Sequence, residues 1–250
     1  MPFKLYNLKL LFLKIKDTFI ILIMSNTNLT DIIQWDVVTW SEAIEFWDKH
    51  VDWSKINHCL ELGGRQGGLS LWLALKGKQV VCSDLENVMN TAQPLHNKYK
   101  IKDKITYQNI DATAIPYEQH FDIIIFKSII GGIAKIGGID MQKKVFKEIY
   151  KALKPEGMLL FAENLVASPM HQFARKKFNK WGDYWRYLTI DETRSFLSNY
   201  KKLSYDTCGF SAAFGRNEKQ RNVLAKIDQS LLNYLTPASY KYVIYGVAKK

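Results

Sequence analysis

Cysteine is scarce in this sequence of 250 residues, and the three cysteines lie far apart. Cys59, Cys82 and Cys208 contain no C-x-x-C pair, so neither a disulfide framework nor a zinc site is predicted. Cys59 and Cys82 lie within apolar runs, which indicates buried thiols. This use of cysteine predicts a reducing, cytoplasmic setting and a site without a metal ion.

A long uncharged apolar run is also missing. The segment from Leu8 to Met24 is interrupted by four charged residues, Lys9, Lys14, Lys16 and Asp17. A membrane span needs ~20 largely apolar residues, and no small-residue cleavage site follows the segment. We therefore expect no membrane association. Residues 1–30 are predicted to be an extension outside the fold, with Met24 as an alternative start of translation.

The remaining composition is that of an ordinary globular protein, with 47% apolar and 24% charged residues. The length predicts one domain, over residues 31–250. The formal net charge is +11, and basic residues cluster late in the chain. Such clusters suit nucleic acid or an acidic acceptor, but a solvated basic face is the more frequent explanation.

A strand, a glycine turn and a helix follow one another directly in the stretch from Cys59 to Leu75. Four glycines fall within six residues of this stretch: Gly63, Gly64, Gly67 and Gly68. Glycines allow a ligand to approach the backbone, and the N–H groups of the following helix point back at the loop. We favour a ligand-binding loop over a turn that only packs well.

The spacing within this loop distinguishes two nucleotide-like ligands. The dinucleotide fingerprint G-x-G-x-x-G fails because Arg65 takes the place of its middle glycine. The string Glu61-x-Gly63-x-x-x-Gly67 resembles the first motif of class I S-adenosylmethionine-dependent methyltransferases, from which it departs at Arg65. The resemblance implies S-adenosylmethionine as cofactor, held by the loop residues Glu61, Gly63, Gly64, Arg65 and Gly67.

Two further acids follow strands and extend this resemblance. Asp84 ends a short apolar run 21 residues after Gly63, where α/β nucleotide folds bind ribose hydroxyls. A helix cap is the alternative role for Asp84. The resemblance implies that Leu85 lies beside the cofactor, and that Asp111 and Ala112 meet the adenine amino group.

The order of apolar runs predicts an α/β, Rossmann-like, doubly wound fold. The resemblance implies that its seven-stranded sheet is mostly parallel with an antiparallel last strand, and that helices lie on both faces. The fifth strand is expected from Met158 to Glu163. Two insertions are predicted, an acceptor-covering segment over 165–188 and a helical segment over 211–239. Capping boxes, Thr39–Glu42 and Thr189–Glu192, are predicted to open two helices.

Polar residues at the ends of the fourth and fifth strands mark the expected reaction site, because ligands bind at the carboxyl ends of such strands. Lys127 is assigned to the cofactor there, and His171 is the candidate general base. The candidate acceptor-binding residues are Ser128, Glu163, Asn164 and Trp185. The aromatic, histidine-containing segment suits a sugar or another polyol.

Missing motifs narrow the acceptor. No Asn/Asp-Pro-Pro-aromatic run of DNA amino-methylating enzymes and no paired glutamates of arginine methyltransferases follow the fourth strand. This favours a small-molecule acceptor. An RNA-modifying methyltransferase and a non-catalytic adenosyl-binding or scaffolding domain stay open as alternatives. The oligomeric state stays open as well, with a homodimer among the options.

Overall fold

The computed structural model, which describes residues 29–135, 137–178 and 185–250, is built around a seven-stranded sheet. The strands in chain order are β1 (His58–Leu62), β2 (Gln79–Asp84), β3 (Ile105–Asn109), β4 (Phe121–Lys127), β5 (Leu153–Asn164), β6 (Lys202–Cys208) and β7 (Val243–Lys249). Their spatial order is β3-β2-β1-β4-β5-β7-β6. All neighbours are parallel except β7, which is antiparallel to β5 and to β6. The predicted fold class is confirmed.

Helices connect these strands and cover the sheet. They are α1 (Leu29–Ile33), α2 (Val37–His50), α3 (Gly68–Leu75), α4 (Val88–Lys98), α5 (Ile130–Ile133), α6 (Gly138–Ala152), α7 (Pro169–Phe178), α8 (Ile190–Phe196), α9 (Glu218–Ile227) and α10 (Asn233–Leu235). Short 3-10 turns cover Trp53–Lys55, Lys102–Lys104, Ala212–Phe214 and Ala238–Tyr240, and a π-helical turn, Asp228–Leu232, joins α9 to α10. The predicted extension lies outside the described residues up to position 28, whereas residues 29 and 30 already belong to α1.

The apolar core consists of two layers, one on each face of the sheet. Along β4, Ile123 and Ile125 pack into the layer that holds the buried tryptophans of α2 and α3, and Ile124 and Phe126 pack into the other. Successive side chains of a strand point to opposite faces, so a continuous apolar run predicts burial on both sides. Each fully buried side chain of this size contributes about 1.5–3 kcal/mol.

The fifth strand differs from its predicted bounds. It begins at Leu153, five residues before the expected Met158. Phe121 pairs with Leu153 and Ile123 pairs with Met158, so the register with β4 shifts between these two pairs. The intervening Glu156 has a φ of 64°. The left-handed Glu156 therefore lies within the strand, where the register is irregular.

One predicted capping box is wrong and the other is confirmed. Helix α2 begins at Val37, so Thr39 lies inside its first turn, where its hydroxyl accepts a hydrogen bond from Tyr242. At α8, the Thr189 side chain accepts from the amide of Glu192, and the Glu192 side chain accepts from the amide of Thr189. The sequence pattern is the same in both places, but tertiary packing starts α2 earlier.

Candidate cofactor and acceptor site

The glycine loop makes a tight turn between β1 and α3. Gly63 and Gly67 have φ values of 62° and 72°, and Arg65 has 49°, in the left-handed region. The Gly64 amide donates to the carbonyl of Ser83 at 2.8 Å, which fixes the loop to β2. Left-handed backbone favours glycine at 63 and 67. The loop therefore has the compact backbone that the sequence predicts.

Packing behind the loop imposes a second requirement for glycine. A Cβ on Gly64 would lie 2.9 Å from the Glu61 carboxyl, and one on Gly68 would lie 2.0 Å from the carbonyl oxygen of Ile32. Helix α1 therefore packs directly on the start of α3. The glycine pattern thus reflects contacts with the protein's own α1 and Glu61, in addition to any ligand.

Glu61 is fully engaged with the backbone behind the loop. Its carboxylate accepts from the amides of Leu69 and Ser70 at 3.2 and 2.8 Å, and from the Ser70 hydroxyl at 2.5 Å. These amides belong to the first turn of α3, whose positive dipole end favours an anion. Burial raises the pKa of Glu61 to about 7. The side chain anchors the helix start and is turned into the core.

Asp84 lies at the end of β2 against the glycine loop. Its Oδ2 accepts from the amide of Arg65 at 2.8 Å, and its Oδ1 accepts from the amide of Leu85 at 2.7 Å. Helix α4 begins at Val88, whose amide donates to Asn109 instead, so Asp84 does not cap that helix. Asp84 is half-buried, and Leu85 beside it is 65% exposed. Both lie at the open edge of the loop.

Asp111 and Ala112 follow β3 at the same edge of the sheet. The Asp111 carboxylate accepts from the amide and from the hydroxyl of Thr113, both at 2.8 Å. Asp111 is exposed and Ala112 is half-buried. The bonds to Thr113 close a small turn after β3 and fix the direction of the Asp111 side chain.

The tips of β4 and β5 are joined by side-chain hydrogen bonds. The Asn164 amide nitrogen donates to the Ser128 hydroxyl at 2.6 Å. Glu163 is buried, and its carboxylate accepts from the amides of Ile129, Ile130 and Asn164 at 2.8–2.9 Å. Burial raises the pKa of Glu163 to about 7. Ser128 and Asn164 therefore lie side by side at the strand ends. The Glu163 carboxylate instead accepts from backbone amides, as the Glu61 carboxylate does.

Lys127, the last residue of β4, places its ammonium against two tryptophans. The Nζ atom lies 4.0 Å from the ring centroid of Trp35 and 4.9 Å from that of Trp40. The atom is buried and, within the described part of the chain, has no hydrogen-bond partner. Burial lowers the pKa of Lys127 to about 7. The sequence analysis assigns Lys127 to the cofactor but does not predict its contacts with the two tryptophans. These contacts join positions about 90 residues apart in the chain.

The segment over 185–188 returns across the turn after β4. The ring of Trp185 lies against Gly131, where a Cβ would be 1.9 Å from the indole nitrogen. The Arg186 amide donates to the Gly131 carbonyl, and the buried Gln142 side chain bonds the carbonyls of Ile130 and Arg186. Trp185 is therefore at the carboxyl end of β4. Its neighbours Trp181 and Tyr184 lie outside the described residues.

His171 is held inside the protein by both ring nitrogens. Nδ1 and the Ser168 hydroxyl are 2.7 Å apart, and Nε2 lies 2.8 Å from the carbonyl of Phe210, to which it donates. The residue is 1% exposed, and burial lowers its pKa. In this geometry no ring nitrogen is free to take a proton from an acceptor. The expected general base is thus part of the packing between α7 and the turn after β6.

The described residues contain neither a candidate metal site nor a candidate membrane-spanning helix. These residues include no cluster of three His, Cys, Asp or Glu side chains placed to hold a metal ion. In the same parts of the chain, no helix combines the length and apolar character needed to cross a bilayer.

Comparison by sequence gives a partial match to a known domain. Residues 60–161 match a family model described as a methyltransferase domain. An uncharacterised protein of Haemophilus influenzae is 27% identical over 142 residues, which cover 53% of this chain and 55% of that protein. The match therefore spans about half the length of that relative.

Comparison by structure gives the same fold. Phosphoethanolamine N-methyltransferase 2 of Haemonchus contortus, solved with S-adenosyl-L-methionine, is 18% identical with a TM-score of 0.58, over 84% of this chain and 52% of that one. The YcgJ protein of Bacillus subtilis is 13% identical with a TM-score of 0.56, over 84% of this chain and 98% of that one. At these identities the similarity concerns the fold.

Proposed function

We propose that the chain is a class I S-adenosylmethionine-dependent methyltransferase, which transfers a methyl group from this cofactor to a small-molecule acceptor; its match to a methyltransferase domain over residues 60–161 and its fold support the proposal. The carrying observation is the contact between Asp84 and the glycine loop. The Arg65 amide bonds the Asp84 carboxylate at the open edge of the sheet, where α/β folds bind nucleotides.

The cofactor is proposed to lie along this edge. Gly63, Gly64, Arg65 and Gly67 offer backbone at close approach, and Asp84 offers a carboxylate with free lone pairs to ribose hydroxyls. Leu85, Asp111 and Ala112 follow β2 and β3 and are proposed to enclose the adenine. Glu61 would support the loop from behind through Leu69 and Ser70.

The acceptor is proposed to bind at the tips of β4 and β5. There Ser128 and Asn164 present a hydroxyl and an amide, and Trp185 provides an aromatic face, which together suit a sugar or another polyol. Within one domain over 31–250, the segment 165–188 would cover this position, and the segment 211–239 is a helical insertion. The acceptor nucleophile then needs to be held ~3–3.5 Å from the methyl group and in line with the departing sulfur.

Isothermal titration with S-adenosylmethionine and S-adenosylhomocysteine tests the proposal directly. We expect both to bind the wild-type protein, which should then be screened for transfer to sugar nucleotides and glycans. Absence of binding would support the scaffolding alternative. Transfer to bulk RNA at moderate salt, without transfer to any small molecule, would instead support an RNA-modifying enzyme.

A further inference from the structure

The buried ammonium of Lys127 has no hydrogen-bond partner among the residues that the structure describes. Its three N–H donors face neither a carboxylate nor a carbonyl at hydrogen-bonding distance. The faces of Trp35 and Trp40 attract the positive charge but accept no conventional hydrogen bond. Burying an amine without hydrogen bonds is costly, so the position is suited to a group that a ligand supplies.

The carboxylates near Lys127 form their hydrogen bonds with other groups of the protein. Asp36, Glu61 and Glu163 contribute negative charge that favours the protonated amine. Glu61 and Glu163 are bound to backbone amides, and Asp36 Oδ2 accepts from the Tyr242 hydroxyl, whereas the buried Asp36 Oδ1 has no partner among the described residues. None of these carboxylates is hydrogen-bonded to Lys127 Nζ.

Arg65 adds a second positive charge near Lys127. Its charge disfavours the protonated form of Lys127, so the two cations lie close enough to repel each other. The Arg65 side chain is exposed on the glycine loop, at the position where the family motif has a glycine. Lys127 and Arg65 are thus two nearby cations, and the buried Lys127 ammonium has no hydrogen-bond partner among the described residues. Such a pair is complementary to an anion.

We propose that Lys127 is an anion-binding residue at the carboxyl end of β4 and that it donates hydrogen bonds to a carboxylate of the bound ligand, while Trp35 and Trp40 hold its side chain. This inference rests on the proposed function. S-adenosylmethionine carries such a carboxylate on its amino-acid end, and an acidic acceptor would carry the same kind of anion. The test separates these two sources.

The pH dependence of binding follows from the charge of Lys127. The free protein has a Lys127 pKa of about 7, and a bound anion raises the pKa because it favours the ammonium. Affinity for the anion is therefore greatest below pH 7 and falls as the pH rises above 7. Asp36, Glu61, Glu163 and Arg65 face the same amine, so the comparison must be made between the wild type and a Lys127 variant.

The first arm tests whether the carboxylate belongs to the cofactor. The protein is titrated separately with S-adenosylhomocysteine and with 5′-methylthioadenosine, which has no carboxylate. Lys127→Met keeps the aliphatic stem, Lys127→Arg keeps the charge, and Lys154→Met removes a lysine paired with Asp122 at the far end of the sheet. We expect Lys127→Met to weaken S-adenosylhomocysteine at least about tenfold, with 5′-methylthioadenosine unchanged. Lys127→Arg should retain part of the affinity, and Lys154→Met should retain all of it.

A second arm tests the acceptor source. Protein saturated with S-adenosylhomocysteine is titrated with inorganic phosphate and acetate, and the thermal midpoint is recorded. Stabilisation of the wild type but not of Lys127→Met, with equal S-adenosylhomocysteine affinities, would assign the anion to the acceptor. Equal behaviour of wild type and Lys127→Met in both arms, at every pH between 6 and 8.5, overturns the inference. A wild type that binds no S-adenosylhomocysteine refutes the proposed function instead.

Discussion

The side-chain amide of Asn164 donates to the hydroxyl of Ser128 at 2.6 Å, and this bond connects the ends of two adjacent strands. Ser128 has a φ of 56°, and its amide also donates to the carbonyl of Ala162 in β5. The edge of the crevice is therefore fixed before any ligand arrives. Fixed polar groups lose little conformational freedom on binding, which favours tight positioning of an acceptor.

Replacing Asp84 by Ala should lower the affinity for S-adenosylhomocysteine at least tenfold. The change removes charge-assisted hydrogen bonds to the ribose, each worth on the order of 1.5–3 kcal/mol. Isothermal titration provides the measurement, and Asp103→Ala, at an exposed site in another turn, provides the matched control. An unchanged affinity in a folded Asp84→Ala protein would limit Asp84 to holding the loop through Arg65.

Replacing Trp185 by Ala should impair methyl transfer while the affinity for S-adenosylhomocysteine stays within about twofold. The ring lies on Gly131, which follows β4 on the proposed acceptor side. Gly131→Ala offers a second test, because its Cβ would displace the ring. Equal transfer rates for both variants and the wild type, with the first acceptor found by screening, would place the acceptor elsewhere.

Replacing His171 by Gln should destabilise the protein by about 1–3 kcal/mol, since the Ser168 hydroxyl and the Phe210 carbonyl lose their buried partners. The folded state lowers the His171 pKa, so its contribution is present above the ordinary pKa and declines as the pH falls. Urea unfolding should therefore show a larger loss at pH 7.5 than at pH 5.5. Full stability together with lost transfer would restore His171 as a catalytic base.

Replacing Glu163 by Gln should reduce the dependence of stability on pH. The pKa of Glu163 is raised to about 7, so its contribution to folding is complete below its ordinary pKa and declines as the pH rises through 7. The free energy of unfolding of the wild type, relative to Glu163→Gln, should be larger at pH 5 than at pH 8. A difference that is constant across this range would contradict burial as the dominant influence.

Replacing Thr189 by Ala should cost about 1 kcal/mol of stability, because it removes the side-chain cap of α8. Thr91→Ala is the control: this exposed threonine lies inside α4 and bonds only the carbonyl of Asn87 four residues earlier. Urea denaturation of the two variants gives the comparison. A Thr189→Ala protein as stable as Thr91→Ala would show that packing alone positions α8.

Much of the fold could be predicted because its determinants are local. The apolar run of β4 predicts a buried strand, and the glycines before α3 predict a βα turn. Neither prediction needs the rest of the chain. The start of α2 could not be predicted, since the Thr39 hydroxyl lies 3.0 Å from that of Tyr242, about 200 positions later in the chain. The start of β5 depends in the same way on its pairing with Phe121.

The site was predictable by position and less so by side-chain direction. Sequence order places Glu61 and Glu163 at strand ends, but whether a carboxylate turns to the crevice or to a helix start depends on which amides are left without partners. For both glutamates the nearby amides are the partners. His171 shows the same limitation, because the carbonyl that holds it belongs to Phe210, far along the chain.

The position of β7 between β5 and β6 has a consequence for synthesis on the ribosome. Within the described sheet β6 pairs with β7 alone, and 34 residues separate Cys208 from Val243. The strand Lys202–Cys208 is therefore synthesised before its pairing partner β7. The edge of β5 also stays unpaired until β7 has been made. Unpaired edges of this kind promote association between nascent chains, so the last strand to be made protects two others at once.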